Sequence, residues 1–388
     1  MYIRRLTILG FIIAVIGGTN ASAQNWYKGN LHTHSLWSDG NNYPEMIAEH
    51  YKQSGYNFLA LTEHNLFQNT EKWVAISPGA SKKREFFDQY LAKYGQDWLE
   101  AKRFGNDSIR VRLKKLDEYR SRLEESGKFL LINSEEITSS HNKLPVHVNG
   151  INMEKVIPKQ EGSSNTDVLQ HVSDAMVQQE QQAGKNMLFI IDHPSFEHTL
   201  TADDIMNVKN ARFMEFFNVG SHNVYGDSTH DSVELMWDKV NIHHIATGQA
   251  LMYGVATDDM HNLQNQACRG WVVVNAPKLD AETLVASMKA GNFYSSTGVV
   301  LSDVTAKKGK LTVTVQKEEG VTYKIQFVGT KKGATLPVVL VEKEGDSASY
   351  SLGKDDLYVR ARIISSKLHF NPHRKGDTEG AWTQPLKN

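Results

Sequence analysis

Seven short apolar runs lie between residues 29 and 261, and each ends in or encloses a polar or metal-binding side chain. They are Gly29-Asn30-Leu31-His32, Phe58 to Leu61 before Thr62-Glu63-His64, and Phe129 to Ile132 before Glu135-Glu136. Val146-His147-Val148, Leu188 to Ile191 before Asp192-His193, Phe213 to Phe217 before Asn218, and Met252 to Ala256 before Asp258-Asp259 complete the set. Apolar runs of this length, bounded by turn chemistry, predict buried parallel strands. Most are separated by stretches of helical character: Pro44 to Gln53, stopped at Gly55, then Asp167 to Gln182, Asp231 to Ile245 and Ala281 to Ala290. Strand and helix in alternation predict an α/β fold with right-handed crossovers, and seven units predict an incomplete or distorted barrel. In such a barrel the working residues gather at the C-terminal ends of the strands, where this chain carries its His, Asp and Glu.

Two regions break the alternation. Residues 66–127 are too long for a loop. Phe86-Phe87-Tyr90-Leu91-Tyr94 and Leu113-Leu116-Tyr119-Leu123 have helical spacing, so a helical insertion overhanging the site is expected. Beyond residue 300 the pattern changes to alternating and β-branched runs (311–315, 323–328, 337–341, 358–363) separated by Gly and charged turns. That texture predicts a small C-terminal all-β domain, sandwich-like, over 301–388.

Composition narrows the chemistry. The chain has 388 residues, enough for two domains, and 40% of them are hydrophobic. A formal charge of −1 gives no broadly basic surface for nucleic acid, so no stable nucleic-acid complex is expected. A single cysteine, Cys268, excludes a disulfide framework and a thiolate-rich zinc site, leaving nitrogen and oxygen ligands for any metal. Fourteen of the 16 histidines precede residue 300. At the amino terminus, Arg4-Arg5, the apolar stretch Leu6 to Ile16 and Ala21-Ser22-Ala23 have the order of a signal peptide, cut after Ala23. The stretch is shorter than the roughly 20 residues of a membrane-spanning helix, so the mature protein is expected to be periplasmic or secreted, without an anchor.

His32-Thr33-His34 followed by Asp39-Gly40 is the strongest local signal, because residues i and i+2 of a strand share a face. An isolated His-x-His is more often structural. Thr62-Glu63-His64-Asn65 and Asp259-Met260-His261 add strand-end ligands, the latter with the same i, i+2 spacing. Glu136, His147 and His193 fall between them at strand ends or edges.

This ordered set, with Leu-Thr-Glu-His64, Glu136-Ile-Thr and His193-Pro, resembles the polymerase and histidinol phosphatase (PHP) family of metal-dependent phosphoesterases over roughly residues 25–298. Gly291 to Gly298 and Ala381 to Pro385 are similar to the ends of exported bacterial members. Glu63 departs from the family's usual Asp, and Ser134 stands where Gly often precedes the metal-binding Glu. The register favours Glu136 over Glu135 as that ligand. The resemblance implies a distorted seven-stranded barrel and two or three divalent ions, Zn, Mn or Fe. His32, His34 and Asp259 would hold the first, with Glu136 bridging to a second held by His147 and His193. Asp39, His64 and His261 would hold the third. Water activated by the ions would attack phosphorus, with no nucleophilic side chain required.

Further candidates are Arg269 as a phosphate fork and His222, in Gly220-Ser221-His222-Asn223, as an acid for the leaving group. Glu215 and Asn218 are candidates for orienting ligands. Lys82-Lys83-Arg84 and Trp73 could contact substrate or form a solvated face, and His243, His244 and His373 read as structural. The expected function is an exported metal-dependent phosphoesterase acting on a small phosphorylated substrate. Hydrolysis or elimination on a non-phosphate glycan, and an extracellular binding protein stabilised by metal, are the alternatives.

Overall fold

A computed structural model describes residues 25–77, 79–104, 108–218 and 224–387. The expected export signal and His222 lie outside the described residues. The chain opens with β1 (Asn25–Asn30), α1 (Pro44–Gln53) and β2 (Phe58–Ala60). The region from 66 to 127 holds β3 (Trp73–Ile76), α2 (Ser81–Tyr94), β4 (Ala101–Phe104), β5 (Ser108–Arg112) and α3 (Leu116–Leu123). Then come β6 (Leu130–Ile132), β7 (Ser134–His141), β8 (Leu144–Ile151), α4 (Asn165–Ala183), β9 (Leu188–Ile191) and α5 (Ala202–Met206). β10 (Phe213–Asn218), α6 (Val233–Ala246), β11 (Tyr253–Thr257), β12 (Trp271–Ala276), α7 (Ala281–Lys289) and β13 (Phe293–Ser296) follow. The remainder is strand: β14 (Leu301–Lys307), β15 (Lys310–Val315), β16 (Tyr323–Lys331) and β17 (Val338–Glu344), then β18 (Ser347–Ser351), β19 (Asp356–Leu368), β20 (Thr378–Thr383) and β21 (Leu386–Lys387).

The helices end where local chemistry stops them. Pro44 opens α1 at a position where a missing N–H costs nothing. Ser164 caps α4 by accepting from Asp167 N at 3.1 Å, and Gly184 closes it in the left-handed region (φ 63°). Their apolar faces pack on the sheets. Val168, Leu169, Val172 and Met176 of α4 join Met236, Trp237 and Val240 of α6 in one buried cluster against β8 and β10.

The architecture is mixed α/β, but the strands do not run as one all-parallel ring. A ten-stranded sheet has the order β17-β16-β19-β20-β13-β12-β1-β2-β6, with β21 on β19. A five-stranded sheet has the order β11-β10-β9-β8-β7. They face each other across a core of Leu31, Phe58, Ala60, Ile132, Ile190, Phe213 and Val255. Two single parallel bridges, Thr33 to Met260 and His64 to Glu136, join the ends of β1 and β2 to the two edge strands of the five-stranded sheet, β11 and β7. The run around His147 corrects the parallel expectation: β8 is antiparallel to both β7 and β9. The cause is the two-residue connection Asn142-Lys143, both with positive φ (51° and 69°), a hairpin turn that returns the chain on itself.

The 66–127 region is also corrected. Helical spacing is realised in α2 and α3, but Trp73–Ile76, Ala101–Phe104 and Ser108–Arg112 form a three-stranded antiparallel sheet between them. The insertion packs on α1 and on the Asp39 loop through Trp37, Tyr43, Phe87 and Tyr90. Beyond residue 300, β14, β15 and β18 form a small separate sheet. β16, β17, β19 and β20 instead extend the large sheet through β13, Ser295 pairing with Trp382. Buried Arg360 of β19 pins this region to α6, its Nη2 2.6 Å from Asp238 and 2.8 Å from Glu234.

Candidate metal centre

The two bridges between the sheets place the polar strand ends in one depression. His34 N donates to Met260 O (2.9 Å), and Glu136 N donates to Glu63 O (3.1 Å). His32 and His34 therefore leave the end of β1 beside Asp259 and His261. His64 leaves β2 beside Glu136 of β7, and His147 and His193 approach from β8 and β9. Asp39 closes the group from a tight loop, where Gly40 N and Ser38 N donate to Ser35 O and Asn41 N donates to His261 O. A Cβ on Gly40 would stand 2.4 Å from the backbone of His34, so only glycine lets this loop fold against the histidine.

All nine side chains named as ligands from sequence come together. Glu136 is central: its carboxylate is 3.3 Å from His32 Nε2, 3.1 Å from His34 Nε2 and 3.1 Å from His64 Nδ1. It is 2.7 Å from His147 Nδ1 and 3.5 Å from His193 Nε2. Asp259 Oδ1 lies 3.2 Å from His32 Nε2, 3.3 Å from His34 Nε2 and 3.4 Å from His261 Nδ1. Asp39 lies 3.3 Å from both His64 and His261. Glu135 faces the other side of the β7 pleat and accepts from Ile157 N (3.0 Å).

These contacts test whether the residues suit a cation. Nitrogen and oxygen ligands about 2.0–2.1 Å from a tetrahedral ion stand roughly 3.3 Å apart, somewhat longer than most charge-assisted hydrogen bonds. Most of the separations here have that length. Glu136 Oε1, His147 Nδ1, His34 Nε2 and Asp259 Oδ1 are buried and have no hydrogen-bond partner. His147 Nδ1 and Glu136 Oε1 are only 2.7 Å apart, yet neither has a hydrogen-bond partner. Buried polar atoms without partners are costly, and divalent cations held by these donor sets would satisfy them. The donor sets His34-Asp39-His64-His261, His32-His34-Glu136, His32-His193-Asp259 and Glu136-His147-His193 each bring their atoms within 4.8 Å.

Charge in the cluster is balanced around the histidines. Burial alone would make His34 neutral, but contacts with Asp259 and Glu136 reverse this and raise it to about 10. Burial opposes charge on His32 as well, yet Asp259, Glu215, Asp192 and Glu136 raise it well above its usual value. Glu136 is itself depressed despite burial, by His147 and His32. The centre opens on one side: Asp39, His261 and His64 are 53%, 33% and 25% exposed, whereas His32, His34 and Glu136 are buried.

A second layer holds the donors in place. Glu215 Oε1 accepts from His32 Nδ1 (2.8 Å) and Thr257 Oγ1 (2.6 Å), and its Oε2 accepts from His193 N (2.8 Å) and Asn218 Nδ2 (2.6 Å). Glu63 accepts from Ser35 and Ser38 hydroxyls and from Gln68, bracing the loop that carries Asp39. Sequence reasoning did not single out Thr138, whose Oγ1 is 2.6 Å from His64 Nδ1, or Asp192, buried 3.9 Å from His32. The position of Asp192 directly before His193 was the available signal for the second. Arg269 turns to the C-terminal region, Nη2 donating to Asn371 Oδ1 (2.9 Å), while its backbone N donates to Asp258. His244 is structural, its Nδ1 bonded to Ala250 O (2.8 Å).

No known family profile and no curated protein sequence matches the chain. Among solved structures it is similar to a two-domain protein of Bacteroides vulgatus containing a predicted PHP-like metal-dependent phosphoesterase. The likeness covers 93% of this chain and 95% of that one, at 13% identity and a TM-score of 0.39. An amidohydrolase from Chromobacterium violaceum, with bound sulfate and no metal, is similar over 60% of this chain and 87% of its own (15% identity, TM-score 0.31). A Bifidobacterium adolescentis protein, inferred to be a metal-dependent phosphoesterase, is similar over 68% and 94% (10% identity, TM-score 0.31).

Proposed function

We propose that the chain is an exported, metal-dependent phosphoesterase of PHP type that hydrolyses a small phosphorylated substrate. The observation that carries this reading is the convergence of nine His, Asp and Glu side chains, among them four buried donor atoms (His34 Nε2, Glu136 Oε1, His147 Nδ1 and Asp259 Oδ1) without hydrogen-bond partners. His32, His34, Asp259, Glu136, His147, His193, Asp39, His64 and His261 would hold two or three divalent ions. Bound there, the ions supply Lewis acidity toward a phosphoryl oxygen and lower the pKa of a water. Imidazole and carboxylate donors suit Zn, Mn or Fe.

The chain's own residues do the positioning. Glu215 fixes His32 with its proton on Nδ1, so that Nε2 presents a lone pair to the centre. Thr138 restrains His64 at the open side, where Asp39 and His261 face incoming substrate. In this reading the two single bridges close β1, β2, β6–β7, β8, β9, β10 and β11 into a distorted seven-stranded ring, and residues 301–388 form the C-terminal β module. The near-neutral charge favours a small substrate over a nucleic-acid polymer.

The second reading, a non-phosphate glycan, draws on a separate cavity of about 370 Å³ that none of the nine donors lines. It is lined by Phe216, Tyr225 and Trp382, with Glu234, Asp377 and Glu379 against Arg362. Aromatic faces and surplus carboxylates suit a neutral sugar better than a phosphate. The two readings separate in one experiment: metal-loaded mature protein is assayed on phosphomonoesters, phosphodiesters and glycans, before and after chelation. Phosphate release that disappears on chelation and returns with metal supports phosphoester hydrolysis. Cleavage of glycans alone refutes it.

A further inference from the structure

Away from the nine-residue centre, two exposed chain segments bring three more metal-ligating side chains together. One follows β9. Its residues Glu197 and His198 both adopt positive φ (51° and 55°), a conformation non-glycine residues seldom take. The other precedes α6. There Asp227 Oδ1 accepts from Thr229 N (2.7 Å) and His230 N (2.9 Å). Gly226 is required for this turn: a Cβ there would stand 2.5 Å from Ser232 N.

The two segments meet ring to ring. His198 and His230 stack with centroids 3.7 Å apart and planes 21° from parallel. His230 Nδ1 is 3.1 Å from Asp227 Oδ1 and 3.2 Å from Oδ2. One donor atom each from His198, Asp227 and His230 lies within 4.8 Å of the other two. Two protonated imidazoles would repel at this distance, so at most one ring carries a proton, held beside the Asp227 carboxylate. A cation taken up by Asp227 and one nitrogen of each ring would replace that proton.

We propose that His198, Asp227 and His230 form a separate surface site for one borderline transition-metal ion of the Zn(II) class. Two imidazoles and one carboxylate suit such an ion and not the oxygen-seeking Ca(II) or Mg(II). Three protein ligands on one side leave the remaining positions to water. The ion joins the segment after β9 to the loop before α6. It shares no residue with the nine-residue centre.

The test counts metal in the folded full chain and does not depend on any activity. Wild type, His198→Asn, His230→Gln and Asp259→Ala proteins are equilibrated with excess Zn(II), desalted, and assayed for bound zinc per chain, with circular dichroism confirming the fold. Asn tolerates the left-handed backbone at 198, so that variant removes the ligand and keeps the turn. His198→Asn and His230→Gln are each expected to hold one equivalent less than wild type. Asp259→Ala is expected to lose zinc from the main centre while the increment that depends on His230 persists, measured as its difference from Asp259→Ala/His230→Gln. Equal zinc in wild type, His198→Asn and His230→Gln overturns the proposal, whatever the main centre holds.

Discussion

Glu215 is the most informative single position, because its replacement by Gln preserves shape and removes half of its accepting capacity. The buried carboxylate accepts four hydrogen bonds, two on each oxygen. An amide keeps one oxygen and sets an NH2 group against two donors. If the NH2 takes the Oε2 position it confronts His193 N, a backbone donor that cannot turn away. That arrangement costs about 1–3 kcal/mol as a buried unsatisfied group. If it takes the Oε1 position, Thr257 rotates to accept, and His32 must accept at Nδ1 and move its proton to Nε2. That second arrangement strands no donor and is favoured, but Nε2 is the atom 3.2–3.3 Å from Asp259 and Glu136. A metal ion then competes with a proton at the ligand position.

Glu215→Gln is therefore expected to weaken metal binding by roughly 10–100-fold, or about 1.4–2.7 kcal/mol, the range for losing a partner that orients a ligand. The metal-free protein should lose less stability than this. The assay is competition between protein and a chromophoric chelator at fixed pH, alongside denaturant unfolding of the metal-free forms. A folded Glu215→Gln protein with wild-type metal affinity would refute the reasoning.

Three further outcomes follow from the same contacts. Gly40→Ala drives a Cβ into the His34 backbone, so unfolding free energy should fall by about 2 kcal/mol or more and metal affinity should fall with it. Stability unchanged in denaturant titration counts against the close approach. Asp238→Leu removes the bidentate partner of buried Arg360 and leaves it Glu234 alone, so it should cost up to about 3 kcal/mol, whereas Asp238→Leu with Arg360→Met should recover most of it. Additive losses in that double-mutant cycle would show the pair is not coupled. Burial raises the Glu45 carboxyl pKa despite bonds from Tyr90 and Trp98. The folded state therefore retains a proton that the unfolded chain releases near pH 4.5, and this group's contribution to stability falls as pH rises above that value. In unfolding experiments from pH 4 upward, the stability of Glu45→Gln should improve relative to wild type, and parallel curves would exclude a raised pKa.

Much of the centre is legible in local sequence. His32 and His34, or Asp259 and His261, share a face because extended chain alternates its side chains, and that periodicity is local. The same pleat separates Glu136 from Glu135 once β7 is known to be a strand. Residue type does the rest, since a chain with one cysteine cannot build a thiolate-rich site and its clustered donors are nitrogen and oxygen. Helices are readable for the same reason: Pro44, Ser164 and Gly184 mark ends through their own backbone preferences.

Pairing is not readable in this way. The parallel expectation fails at β8 because the two-residue turn Asn142-Lys143 lacks the glycine that usually marks a hairpin. The sheet inside 66–127 is hidden because short strands such as Trp73–Ile76 and Ala101–Phe104 gain their stability from each other, not from their own patterning. Nor does any local signal direct Arg269 to Asn371 or bring His198 against His230, residues 32 positions apart. Residue order alone specifies which side chains stand at strand ends and what chemistry they offer. That strand ends from two sheets meet in one depression is a property of the packed fold, because hydrophobic periodicity specifies which face is buried and leaves open what covers it.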